Sequence, residues 1–184
     1  YDPSDGSGRG LIEAPFENTS VAALDIEGNL IMGVKSCSSA GSTSGVVRFD
    51  EEGSPTTIMP NLAESIGSMA VDADGGLYVV LWSETADIYY YESPNSSGTV
   101  LSSERPEEYA SIAYNASNEH VYAVAFKELD QAVEIHEFSK SGFVQAHTVG
   151  IHKEFSGFSI ACAPDGTLYA TSAEAERHET GPDV

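Results

Sequence analysis

The residues best equipped for chemistry in this chain are two carboxylates two positions apart before paired glycines, Asp72-Ala73-Asp74-Gly75-Gly76. Alternating carboxylates followed by glycine make a compact oxygen-rich loop, the donor type that a hard cation such as Ca2+ prefers. Asp72 and Asp74 are therefore the candidate metal ligands. The loop lacks the remaining ligands and closing glutamate of an EF-hand, and a tight hairpin is the competing reading of the same residues. Histidines at 120, 136, 147, 152 and 178 are scattered, and the His147–His152 spacing matches no zinc motif. The sequence has no nucleophile elbow, phosphate-cradling glycine loop or Cys/His pairing. It defines no catalytic constellation and calls for no cofactor beyond Ca2+ at that loop.

Other side chains point to surface chemistry. Asn18, Asn95 and Asn115 each open an N-x-S sequon and are candidate glycan acceptors. Asn95 leads, because Pro94-Asn95-Ser96-Ser97-Gly98 reads as an exposed turn. In Tyr89-Tyr90-Tyr91, strand alternation turns at least one ring outward, so Tyr89 and Tyr90 are candidate partner contacts. The competing reading packs two of these rings between sheets. Cys37 and Cys162 belong to no cysteine framework or metal knot. Cys162 lies in an apolar strand as a small core residue, and a bridge to Cys37 requires the first and last repeats to be neighbours.

The elements that must position these groups are written four times. An apolar strand, a short polar turn and a second apolar strand recur at 21–30, 68–80, 111–122 and 159–169. The residue opening the second strand is Leu30, Leu77, Val121 and Leu168, at steps of 47, 44 and 47. Alanine recurs upstream at Ala23, Ala70, Ala113 and Ala161. Glycine in Glu27-Gly28, Asp74-Gly75 and Asp165-Gly166 supplies the positive φ of a tight hairpin; the third copy has Asn118-Glu119 and is one residue longer. Third strands follow at Val46–Asp50, Tyr89–Glu92 and Val133–Ser139, then fourth strands at Pro55–Met59, Thr99–Ser102 and Phe143–Val149. Helical spacing is hinted at only in Asn61–Ser65.

Four short strands per unit at this period predict an all-β fold, a β-propeller segment of about four four-stranded blades. The blades lie near 20–62, 66–105, 109–150 and 157–184, with a partial blade at 1–16. Three are complete and both ends are partial, so the chain is read as an excerpt of a larger propeller of six to eight blades; the rival reading is a four-bladed ring whose missing strand is tolerated or supplied by a partner. Small Ser-x-Ala positions suit an inner strand near a narrow axis, and runs such as Leu77–Trp82 suit burial on both faces. The copy pattern, nearest in Ala161-Cys162-Ala163-Pro164-Asp165-Gly166-Thr167-Leu168-Tyr169, resembles the NHL and sugar-lactonase-like propellers. That resemblance implies the fold and leaves activity open. Lactonase-like propellers hold a divalent cation on the axis with Glu, Asn and Asp. Glu17, Asn18 and Glu154 match no such motif by spacing, and no role is carried over to them.

Charge narrows the partners. Eight Lys and Arg against 29 Asp and Glu give a net charge of −21. Such a field repels nucleic acid and anionic lipid surfaces and favours cations and basic partners. No apolar run is long enough to cross a bilayer as a helix, so membrane insertion is not expected. The expected role is a secreted or cell-surface interaction module, an acidic glycoprotein binding protein or glycan partners or assembling with itself. The alternatives are a divalent-cation-dependent lactonase-like hydrolase and a structural subunit of a surface filament.

Overall fold

Glycine and a carboxylate, acting together, fold three of the four repeated hairpins. In a computed structural model the described residues are 18–25, 27–38, 41–50, 52–62, 64–82, 87–93, 96–101, 108–127, 132–152 and 155–174. Gly28, Gly75 and Gly166 take φ of 81°, 86° and 87° at the hairpin turns. The third copy lacks the glycine, and Glu119 itself enters the left-handed region at φ 60°, a conformation costing a side chain about 1–2 kcal/mol.

All the described secondary structure is strand. The first sheet holds β1 (Asn18–Leu24), β2 (Leu30–Ser38), β3 (Gly41–Phe49) and β4 (Pro55–Leu62). The second holds β5 (Ser65–Val71), β6 (Leu77–Trp82), β7 (Asp87–Tyr91) and β8 (Thr99–Val100). The third holds β9 (Glu108–Asn115), β10 (His120–Lys127), β11 (Ala132–Ser139) and β12 (Gly142–His152), and β13 (Phe155–Cys162) pairs with β14 (Leu168–Glu174). Each sheet runs in sequence order with antiparallel neighbours, giving three four-stranded blades and one two-stranded blade. The hint of a helical turn at Asn61–Ser65 is not realised: β4 continues through Leu62 and β5 begins at Ser65. Pairing of β4 with β3 outweighs the weak helical spacing there. The expected partial blade at 1–16 and the tail 175–184 lie outside the described residues.

The blades pack face to face in chain order. Tyr78, Val80 and Ile88 of blade 2 meet Ile112, Val121 and Phe138 of blade 3 in one cluster. Blades 1 and 2 share Ile31, Val46, Ile66, Met69, Leu77 and Val79, and Ile160 of blade 4 closes on Tyr122 and Val124. The second strands β6 and β10 are therefore buried on both faces: Tyr78, Val79, Val80, Val121, Ala123 and Ala125 all have 0% exposure. Full burial of such a side chain contributes about 1.5–3 kcal/mol, so these strands carry the core.

Serine ties one blade to the next. Ser68 Oγ accepts the Ile112 N–H at 3.0 Å, and Ser111 Oγ accepts the Ile160 N–H at 3.3 Å. The Ser of Ser-x-Ala thus serves as a hydrogen-bond acceptor between blades as well as a small residue.

Candidate functional site

Asp25, Asp72, Asn115 and Ala163 occupy one position in the repeat, at the end of the first strand of each blade. In the first two, the carboxylate pins its own hairpin. Asp25 Oδ1 accepts the Glu27 and Asn29 N–H groups at 2.9 and 2.8 Å, and Asp72 Oδ1 accepts those of Asp74 and Gly76 at 2.9 and 2.7 Å. This satisfies turn donors that no strand partner can reach.

The second oxygen faces the third strand. Register places Arg48, Tyr90 and Glu137 opposite Ile31, Tyr78 and Tyr122. Asp25 Oδ2 lies 2.9 Å from Arg48 Nε, and Arg48 also pairs with Glu27. Asp72 Oδ2 accepts the Tyr90 hydroxyl at 3.0 Å and the Lys140 ammonium at 3.0 Å, and Lys140 reaches Asp74 at 2.8 Å. Lys140 comes from the β11–β12 turn, so it clamps blade 3 to blade 2. Gly76 makes room for this arrangement: a Cβ there would lie 2.6 Å from Tyr90 Oη and 2.8 Å from Asp72 Oδ2.

Asp72 is fully buried, at 0% exposure. Burial pushes its carboxyl up, but donation by Lys140, the Gly76 N–H, Tyr90 and the Asp74 N–H outweighs that and holds it below its ordinary value. The hydrogen bond to Asp74, offset in part by burial, raises Lys140. Both carboxylates marked for Ca2+ are thus committed to Lys140, and a cation at Asp72 would have to displace the ammonium. Among the described residues, no three His, Cys, Asp or Glu side chains are grouped as a metal would require. Outside the clamp, Asp74, Tyr90, Glu92, Ser96, Ser97, Thr99 and Lys140 line an open polar cleft of about 450 Å³.

Blade 3 builds a different centre at the same register. Glu137, 5% exposed, accepts from His120 Nδ1 at 2.6 Å and the Tyr122 hydroxyl at 2.9 Å on Oε1. Its Oε2 accepts from Gln145 Nε2 at 2.6 Å and His147 Nε2 at 3.0 Å. Burial raises this carboxyl, yet the donors Gln145, His120, His147 and Tyr122 more than reverse it, leaving it at about 2. At neutral pH the group is a desolvated carboxylate held by five donors, the fifth being Asn118 Nδ2 at 3.5 Å from Oε1. On the other face of β11, His136 has 0% exposure; its Nδ1 meets the Tyr109 hydroxyl at 3.1 Å and its Nε2 meets Glu134 at 3.0 Å.

The remaining sequence candidates separate. Tyr90 is 8% exposed with its hydroxyl on Asp72. Tyr89 is half-buried and stacked on Tyr91 at 6.4 Å between centroids. Asn115 is 4% exposed; its Nδ2 donates to Gly166 O at 3.2 Å and its Oδ1 accepts from Ser117, so a glycan on this nitrogen would break a blade 3–blade 4 hydrogen bond. Asn18 opens β1, its side chain outside the described residues, where Asn95, Glu17 and Glu154 also fall. Cys162 is a free thiol, half-buried in the blade 3–blade 4 cluster.

Sequence reasoning gave no site role to Lys140, Glu137, its donors or Trp82. Trp82, the chain's one tryptophan, is 55% exposed at the end of β6. It lies against Gly67, where a methyl group would overlap the indole. The equivalent residue in blade 3, Phe126, is met by Phe158 of blade 4 at 6.5 Å. Blade 3 has Ala110 at the position of Phe158, and among the described residues no ring is recorded against the indole. Aligning the columns Trp82/Phe126 and Ala110/Phe158 is the signal that could have found it.

No known protein family and no curated protein matches the sequence. Solved structures do match. A gluconolactonase from Xanthomonas campestris aligns with a TM-score of 0.59 and 13% identity, over 84% of this chain and 56% of that one. A nidogen/laminin complex aligns with a TM-score of 0.54 and 20% identity, over 70% and 49%. TolB from Acinetobacter baumannii aligns with a TM-score of 0.59 and 9% identity, over 83% and 37%. The chain is a β-propeller repeat array spanning less than two thirds of each of these relatives. At such identities the likeness concerns the fold alone.

Proposed function

We propose that this chain is an extracellular propeller module that binds a protein partner presenting basic side chains, with Trp82 in the contact. The observation that carries this reading is the uncapped indole, in a fold that covers the equivalent Phe126. Tryptophan is the strongest side-chain acceptor for an Arg or Lys cation lying over a ring, and a net charge of −21 draws such cations in. A nidogen/laminin complex among the similar structures is a protein–protein assembly built with this fold.

Because the chain has one tryptophan, its fluorescence reports on this site alone. Titration with an Arg/Lys-rich peptide should shift the emission to saturation, and the affinity should fall as salt rises. A neutral oligosaccharide that shifts the emission while the basic peptide does not would move the reading to a glycan partner. No response to either would remove Trp82 from the contact.

A second reading is favoured by the Xanthomonas campestris gluconolactonase, which shares the fold. It makes the whole protein a divalent-cation-dependent lactone hydrolase whose further blades complete the site. Turnover of a lactone panel that requires an added cation would replace the binding reading.

A further inference from the structure

Blade 2 departs from its neighbours where its third strand ends. In the flanking blades, the residue after that strand closes the following turn. Asp50 Oδ1 accepts the Ser54 N–H at 2.7 Å, and Ser139 Oγ accepts the Ser141 N–H at 3.2 Å. The counterpart in blade 2 is Glu92, whose carboxylate takes no part in its turn. Ser93 and Ser96 close that turn instead: the Ser96 N–H donates to Ser93 O at 3.0 Å, and the Ser93 N–H donates to Ser96 Oγ at 3.1 Å. The connection, residues 92–98, is the longest of the three, against 50–54 and 140–141; its residues 94 and 95 lie outside the described ones. Strand β8 beyond it is two residues long, against eight in β4 and eleven in β12. Gly98 returns the connection against Tyr91, where a Cβ would lie 2.6 Å from the ring. In repeat arrays, an extension confined to one unit is a common place for a binding loop.

The cleft of about 450 Å³ beside this connection therefore belongs to blade 2, and its volume suits a small organic group. Its donors and acceptors are out of balance. Lys140 gives its ammonium to Asp72 and Asp74, and Asp74, 82% exposed, uses only Oδ2 in that pairing. Glu92 is exposed, and among the described residues nothing donates to its carboxylate. Three carboxylates against one ammonium leave surplus negative charge, and Ser97 and Thr99 add hydroxyl oxygens to the wall. Blade 1 shows what the repeat places between such acids. Asp25 and Glu27, the counterparts of Asp72 and Asp74, share the Arg48 guanidinium. Tyr90 stands at the Arg48 position in blade 2, so this blade brings no guanidinium of its own to Asp74 or Glu92.

We propose that the cleft binds the guanidinium of an arginine side chain presented by a partner, with Glu92 and Asp74 Oδ1 as its acceptors. A guanidinium carries its donors in a planar fork that matches carboxylate oxygens, and the Ser97 and Thr99 hydroxyls accept what remains. The surplus charge repels phosphate, sulfate and carboxylate groups. The site stands apart from Trp82, which ends β6 five residues beyond Leu77, about 17 Å along the strand. It rests on the basic-partner reading for the macromolecule that carries the arginine, and on the cleft alone for the ligand.

The test is a titration of the 184-residue chain, followed by backbone amide NMR, with argininamide, lysinamide and maltose as probes. Argininamide should shift the Ser96, Ser97 and Thr99 amides to saturation, and its affinity should fall as salt rises. Lysinamide, a point charge without the fork, should bind at least about threefold more weakly. Glu92→Gln should weaken argininamide about tenfold, the loss of a charge-assisted pair. Glu119→Gln removes the same charge from the blade 3 turn and should leave the affinity unchanged, which separates the cleft from the general field. No shift at these amides overturns the proposal, as does equal weakening by the two variants. Lysinamide binding as tightly as argininamide, or a response to maltose in its place, overturns it too. Argininamide shifts that depend on Glu92 support the cleft even where an Arg/Lys-rich peptide leaves the Trp82 emission unchanged. An emission response with silent cleft amides removes the cleft and leaves the Trp82 reading in place.

Discussion

Blades 2 and 3 set their first hairpins in the same register, blade 3's one residue longer, but they bury their acid on different strands. In blade 2 the acid ends the first strand as Asp72, the third strand contributes Tyr90, and the balancing cation, Lys140, arrives from the next blade. In blade 3 the first strand ends in neutral Asn115, the acid moves to the third strand as Glu137, and all its donors come from its own blade. The consequence lies in the junctions. Blades 2 and 3 are joined by an ion pair to a buried carboxylate, whereas Asn115 joins blades 3 and 4 through a neutral amide to Gly166 O. The repeat fixes where a polar group is needed; neighbouring blades decide which residue supplies it.

The comparison breaks most severely at Asp72. Asp72→Ala leaves two turn N–H groups and the Tyr90 hydroxyl without their acceptor and Lys140 paired with Asp74 alone; at about 1–3 kcal/mol for each stranded buried donor, the loss is about 3–5 kcal/mol. Urea unfolding should show that loss, and hydrogen exchange should locate it at the blade 2–blade 3 junction. A loss below about 1 kcal/mol would mean that the clamp is screened like a surface pair.

Glu137→Gln should cost less, about 2–3 kcal/mol, because the amide keeps the shape and one acceptor. Its signature is in the pH dependence. The folded carboxyl sits at about 2 against an ordinary 4.5, a depressed value. Its contribution is therefore complete above about pH 4.5 and is lost as pH falls through about 2. The wild-type minus variant difference in urea midpoint should shrink across that window. A flat difference would show that the donors around Glu137 do not favour the ionised form.

The smallest effect separates the two turns. Glu119 occupies the left-handed conformation that Gly75 supplies in blade 2, so Glu119→Gly should stabilise by about 1 kcal/mol and Gly75→Ala should destabilise by a similar amount. Because no atom lies within 4 Å of a Cβ built at Gly75, its cost would be conformational alone. Thermal unfolding of the two variants gives the signs.

Much of the architecture was legible in the residues. The period of Leu30, Leu77, Val121 and Leu168, the alternation around them and the glycine turns predict strands and blades, because these signals act within about ten residues of chain. The site was less legible. Asp72 was visible as an acidic turn residue, but its role depends on Lys140, whose partner Asp74 stands 66 positions away. Tyr90 looked like surface chemistry until its hydroxyl was found on Asp72.

The chain by itself determined that strands form, where they turn and which faces are apolar, since hydrogen-bond geometry and side-chain alternation are local properties. Only the tertiary structure decided which charges meet and which rings stay open. Glu137, His120 and His147 converge because three strands of one sheet share a register, and Trp82 is 55% exposed where blade 3 carries Ala110 in the column that gives Phe158 to Phe126. These outcomes depend on distances between distant segments, which packing sets and local pattern does not encode.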